Sequence, residues 1–411
     1  MGNWAFNWVQ LLSHNLAALG RRFVALACLM LLGLFTFDWS ALLPHAIWLF
    51  VALLLSSLLF AWQAESLRTA LVLFCLMSST LLLLFGLMGW LSLSLPEQGI
   101  LPLLVVMMMT SANLVHLLNT LLKEMARGLF QFDALAEALK LNLQPIWLSN
   151  LTTVVGFAVA AWLNPAWETI AWIVLLGALL NGFLLLTFLP LILLRYFLEF
   201  RVGNSRDREG LRSLMRFLNI QPRWRKVLIV LSLAGFVLLL SVHWPLWWQS
   251  SFILLLGVFA LLFQLYWRRM IWVGMALWLV TLAWLLALSL GRLLPTDWLI
   301  HSDWVLSSLL MMGLVVDEAV HFFSRFVRAQ RSVFGQSAAA VRYAMASVGR
   351  PIWITTCLQS VMLGLLLFHS DPVLQGFAWL GLFGLWSVTF LVLLWLPILL
   401  AKPTLSPKNS P

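Results

Sequence analysis

Apolar residues run along this chain in blocks long enough to cross a bilayer, separated by short polar segments. A membrane helix needs about 20 mostly apolar residues. On that measure, spans are expected near 22–38, 43–62, 69–90, 100–119, 145–163 and 168–195. A second set is expected near 225–242, 248–266, 270–291, 301–323, 351–369 and 373–400. Between the fourth and fifth spans of each set lies a segment that reads as a short amphipathic helix before a proline-started span: FQFDALAEALKLNLQP and GQSAAAVRYAMASVGRP. At the N-terminus, Trp4, Trp8, Leu11 and Leu12 recur at helical spacing, which suggests a helix lying in the membrane interface. The same segment lacks a charged start followed by an apolar core, so no cleavable signal is expected.

The two sets repeat one frame. His116 answers His321, Pro145-Ile146-Trp147 answers Pro351-Ile352-Trp353, and Leu189-Pro190 answers Leu396-Pro397. Six spans return the chain to the same side, so the repeat is parallel. The expected fold is therefore an all-α polytopic membrane protein of about twelve transmembrane helices, built as two parallel six-helix pseudo-repeats. The units are 1–198, a cytoplasmic linker at 199–224, and 225–411. In the linker, Leu211, Leu214, Met215 and Leu218 form an apolar stripe beside Arg206, Arg208, Arg212 and Arg216. That reads either as a surface helix drawn to anionic lipid or as a solvated linker helix.

Composition agrees with the pattern. Of 411 residues, 63% are hydrophobic and 10% charged, and the mean hydropathy is +0.98. A soluble domain carries roughly a quarter charged residues, so the solvent for most of this chain is lipid. The 24 Trp fit, since indole rings favour the headgroup level. A net charge of +10 raises nucleic acid as a partner, but the placement of charge argues against it. With the N-terminus inside, every one of the 25 Lys and Arg except Arg292 falls on the cytoplasmic side. This is the positive-inside pattern. It points to a multi-pass protein of a bacterial inner membrane with both termini cytoplasmic. Cys28, Cys75 and Cys357 all fall in apolar spans without metal spacing and read as small buried hydrophobes.

Charge enters the membrane at one place. The tenth span reads HSDWVLSSLLMMGLVVDEAVHFFSRF. A carboxylate at the bilayer centre costs about 2.5–3.5 kcal/mol on insertion scales, and such groups usually mark an ion path. At helical spacing Asp303, Ser307, Asp317, Glu318 and His321 share an arc of roughly 100°, and His321 can reach either acid. Two adjacent carboxylates in low dielectric do not both ionise readily, which suits a proton carrier. The fourth span carries the matching stripe without an acid: Thr110, Asn113, His116 and Thr120. Asn113 can hydrogen-bond but not carry a proton. Two other readings stay open: a structural polar knot, and a metal site using the Glu318-x-x-His321 spacing with His116.

These residues resemble the resistance-nodulation-division superfamily in its MMPL-like lipid-exporter branch. The resemblance runs through Gly313 to Phe322 with Asp317, Glu318 and His321, followed by Ser324-Arg325-Phe326. It continues in Ala112-Asn113 with His116 and Asn119, and in Pro145 to Phe157 with Ser149, Asn150, Thr152, Thr153 and Gly156. It implies export of a lipid or other amphiphile driven by the proton-motive force, with no cofactor. Asp317 would accept the proton, with Glu318, His321, Asn113 and His116 in the relay. Asp303, Ser307, Thr110, Thr152, Thr153, Thr355 and Thr356 would support it.

Three departures stand out. Glu318 replaces the usual Tyr, Asn113 replaces the first-half acid, and the connections Asp38–Pro44 and His243–Trp247 leave no room for the family's extracytoplasmic domains. A separate periplasmic partner could supply that part. The alternatives are a non-transporting lipid-binding, sensing or scaffold protein with the helix arrangement of sterol-sensing domains, and an intramembrane metal-dependent enzyme.

Overall fold

The computed structural model describes residues 4–198, 222–242, 250–293, 304–331 and 337–400. The amphipathic linker and the His243–Trp247 connection lie outside the described residues, apart from the first turn of the helix that begins at Pro222. In the first half the helices are α1 Trp4–His14, α2 Leu16–Leu31, α3 Trp39–Ala64, α4 Leu67–Trp90, α5 Ile100–Ala126, α6 Gln131–Leu163, α7 Glu168–Leu186 and α8 Phe188–Arg195. In the second they are α9 Pro222–Val242, α10 Ser250–Trp267, α11 Met270–Gly291, α12 Trp304–Arg331, α13 Ser337–Leu366, α14 Pro372–Phe390 and α15 Leu396–Leu400. No strand occurs among the described residues.

Nine of the described segments are long and apolar enough to cross a membrane. The other three expected spans are helical as well. α9 and α10 hold shorter apolar stretches, Ile229–Leu239 and Ser251–Trp267, while α13 is diluted by Thr355, Thr356, Gln359 and Ser360.

The proline-started spans are corrected by the structure. α6 runs unbroken through Pro145 and α13 through Pro351, so each amphipathic segment is the first part of its span. Proline removes one N–H donor, yet membrane helices tolerate this where neighbours hold them. Both prolines are buried against such neighbours. The second proline pair acts differently. α7 breaks at Thr187 just before Leu189-Pro190, and α14 passes through a π turn, Leu391–Trp395, just before Leu396-Pro397. Both departures from the α-helix fall at the matched Leu-Pro positions of the two halves.

α5 and α12 form the centre, and both are buried along nearly their whole length. Each is gripped by the fifth helix of the other half: α6 packs on α12, and α13 on α5. Hydrogen bonds gather the basic helix ends on one face. Arg350 Nη2 donates to the Gln63 carbonyl at 2.6 Å, and Lys123 Nζ to the Ala346 carbonyl at 2.6 Å. Arg331 donates to the Trp267 carbonyl, and Gln131 to that of Leu193. At the opposite face the α2–α3 connection is seven residues, Leu32–Asp38, of which Leu32–Phe35 form a 3-10 turn. There the Asp38 carboxylate caps α3, accepting from Ser40 N at 3.0 Å and Ser40 Oγ at 2.5 Å, which holds its pKa below the usual range. α1 is helical as expected, but it buries Ala5, Val9 and Leu12, and Trp8 donates to the Leu186 carbonyl at 2.9 Å.

α2 is largely exposed, and glycines hold it. A Cβ on Gly89 would lie 1.8 Å from the Gly33 carbonyl oxygen, and one on Gly86 would lie 2.3 Å from that of Met30. No side chain fits between these backbones. Gly89→Leu is expected to push α2 off α4. Because α2 is peripheral and can yield, the cost should be near the low end for overpacking, about 1 kcal/mol. Thermal unfolding would register it.

Candidate functional site

The site lies where α5, α6 and α12 meet, with α13 and α14 behind. The rings of His116 and His321 stack face to face, centroids 3.6 Å apart and planes 6° from parallel. One turn back on α12, Asp317 Oδ1 lies 3.3 Å from His321 Nε2. Ser149 of α6 donates its hydroxyl to the same oxygen at 2.5 Å. All four side chains are buried.

Glu318, the next residue, turns about 100° around the helix and serves a different neighbourhood. Thr356 of α13 donates to its Oε1 at 2.6 Å, and Thr389 of α14 approaches Oε1 at 3.0 Å and Oε2 at 2.7 Å. The arc read from sequence as one stripe is therefore split. Asp317 and His321 face α5 and α6, while Glu318 faces α13 and α14. His321 meets Asp317, which resolves the choice of acid left open by spacing.

The remaining expected residues are placed as follows. Asn113 donates to Asn150 Oδ1 at 2.9 Å rather than to a carboxylate. Thr110, Thr152 and Thr355 bond carbonyls of their own helices, those of Val106, Ser149 and Ile352. Thr153 bridges to the Gly313 carbonyl at 3.0 Å, tying α6 to α12. Ser307 is buried, and its hydroxyl has no partner among the described residues. Asp303 lies outside the described residues.

Sequence reasoning missed Ser149 as a carboxylate partner, Thr389, and the pair Asn142–Arg325. Arg325 reads as part of a basic loop, but α12 continues to Arg331 and buries it. Its Nη2 donates to Asn142 Oδ1 at 2.7 Å and approaches Thr120 Oγ1 at 3.4 Å. Asn142 donates to Thr120 Oγ1 at 2.9 Å, and Thr120 donates to the His116 carbonyl at 2.8 Å. The signal was available in spacing: 317, 321 and 325 continue one helix face at i, i+4 and i+8. Among the described residues, Arg325 Nε and Nη1 have no partner. Asn142→Leu would strip the guanidinium of its 2.7 Å acceptor and should cost about 1–3 kcal/mol. The double variant Asn142→Leu with Arg325→Met should recover most of that. Thermal unfolding of the three proteins gives the comparison.

The ligand atoms of His116, Asp317 and His321 lie within 4.8 Å of one another, which invites a metal reading. The ring geometry opposes it. An imidazole lone pair lies in the ring plane, and a bound ion sits about 2.0–2.1 Å along it. Two nearly parallel planes stacked at 3.6 Å share no such point. Glu318, the acid of the ExxH spacing, faces away from the histidine pair.

No family model and no curated protein matches the sequence. Solved structures do resemble the fold. SecDF in a form described as super-membrane-facing matches with a TM-score of 0.64 at 13% identity over 89% of this chain. SecDF from Thermus thermophilus, described as a translocon-associated membrane protein, matches with a TM-score of 0.55 at 14% identity over 85% of this chain. The chain spans 62% of the length of either. The fold is thus an α-helical, multi-pass membrane fold like that of SecDF.

Proposed function

We propose that this chain is a proton-coupled membrane transporter of a lipid or another amphiphilic molecule, with Asp317 as the group that takes up and releases the proton. The observation that carries this reading is the contact of Asp317 with a stacked histidine pair in the buried centre. The two rings, stacked face to face at 3.6 Å, form one unit beside the carboxyl group. It is suited to pass a proton. Arg325, buried one turn beyond His321 on the same helix face, adds a guanidinium to this centre. Glu318, held by threonine hydroxyls, is a second buried carboxyl on a different face of α12.

The lipidic cargo rests on the motif resemblance to the MMPL-like branch and on the connections. α2 and α3 are joined by seven residues, and only 243–249 separate α9 from α10. Neither can hold a folded domain, so a translocon-associated role like that described for SecDF would require a separate partner. We place the chain in the cytoplasmic membrane with the basic face inward, on the positive-inside bias.

The test is lipid mass spectrometry on a strain lacking the chain. A lipid accumulating on one side of the membrane, reproduced in wild-type cells by a protonophore, supports transport. An unchanged lipid profile together with a stable co-purifying protein would support the scaffold reading instead.

A further inference from the structure

A cavity of about 990 Å³ opens between α2, α4 and α8, away from the central site. Its walls are apolar: Leu16, Val24, Leu71, Val72, Phe188 and Leu191 are among them. Its volume is at the upper end of the range for small-molecule pockets, roughly 300–1,000 Å³. Along α2 the lining runs from Leu16 to Ala25, a length of about 13 Å at 1.5 Å per residue. Val24, Leu71 and Cys75 are exposed, so the cavity is open on the face that meets lipid.

Its mouth is cationic. Arg21 and Arg195 both line it, and both are exposed. Tyr196 lines it as well, with the guanidinium of Arg68 5.7 Å above its ring. Among the described residues no acidic side chain lines the cavity. Two guanidinium groups, Arg21 and Arg195, therefore line one apolar slot, with Arg68 beside its Tyr196 wall. The guanidinium fork matches phosphate oxygens geometrically. The apolar walls match an acyl chain.

We infer that this cleft binds an anionic glycerophospholipid from the surrounding bilayer. Its phosphate sits on Arg21 and Arg195, and an acyl chain lies along Val24, Leu71 and Val72. The site shares no residue with the Asp317 centre, so it stands or falls separately from the proton reading. A bound lipid would also brace α2, which otherwise touches the bundle mainly through its glycine contacts with α4.

Native mass spectrometry of the purified full chain tests this. The protein is titrated with phosphatidylglycerol or with phosphatidylcholine carrying the same acyl chains. The wild type is expected to retain phosphatidylglycerol several-fold better. Arg21→Gln with Arg195→Gln should cut that retention about tenfold, the scale of losing charged hydrogen bonds. Arg22→Gln removes an equal charge from the adjacent position, which does not line the cavity, and should change little. Ala25→Trp, which fills the slot without touching charge, should weaken both lipids. Asp317→Asn should bind as the wild type does. Equal retention of the two lipids by the wild type would overturn the proposal. So would a loss in Arg22→Gln as large as in the double variant, because that would indicate diffuse surface charge alone.

Discussion

Asp317→Asn is expected to abolish transport while leaving the protein folded, inserted and at least as abundant as the wild type. The substitution keeps the shape of the side chain and an oxygen that can accept from Ser149, now 2.5 Å away. It removes the titratable carboxyl group. It also removes the burden of holding a carboxylate in low dielectric, about 2.5–3.5 kcal/mol for an acid at the bilayer centre. Stability should therefore hold or rise as activity disappears. In the strain assay, this variant should give the lipid profile of the deletion despite normal membrane levels. Restoration of the wild-type profile by Asp317→Asn would end the proton-carrier reading. Ser149→Ala makes a graded companion: it keeps the acid but loosens its position, and should slow rather than abolish transport.

Gly313→Leu is expected to damage stability and transport together. α6 and α12 cross at Gly156 and Gly313, where a Cβ on Gly156 would lie 3.2 Å from Gly313 Cα. A Cβ on Gly313 would meet the Thr153 backbone at 3.4 Å, an ordinary contact. Alanine should thus be nearly neutral at Gly313. The additional carbons of leucine have no space, since backbone lies across from them, and both helices are central and cannot yield as α2 can. The cost should approach 3 kcal/mol, the upper end for overpacking. Forcing the helices apart would also break the Thr153 bond to the Gly313 carbonyl and draw Ser149 from Asp317. Thermal unfolding of the Ala and Leu variants, with the lipid assay beside it, separates this from a simple loss of an acid. A Gly313→Leu protein as stable as the wild type would show that the two backbones are not in close contact.

Much of the architecture could be read from local pattern. Hydropathy sets where helices lie, because a span must be apolar for its own length whatever its neighbours do. The repeat was legible in the matched prolines, and the structure gives it physical form in the break at Thr187 and the π turn at Leu391–Trp395. Helical periodicity also placed Asp317 and His321 on one face, and extended it would have added Arg325. The amphipathic segments before Pro145 and Pro351 misled, because proline marks a helix start in water but is carried within a helix held by its neighbours.

The pairing of faces was not legible. α5 is buried all round, so no amphipathic stripe says which side meets which helix. Packing of α5 on α12 is what stacks His116 on His321. The glycine crossing of α6 and α12 is what brings Ser149 to Asp317. The turn from residue 317 to 318 then hands Glu318 to Thr356 and Thr389, residues distant in sequence that nothing local connects to it. Composition and period were enough to predict twelve spans with one buried acidic stripe. That the stripe is two sites, one beside a stacked histidine pair and one held by hydroxyls, follows from long-range packing, because a helix's period gives the direction of a side chain but not what waits there.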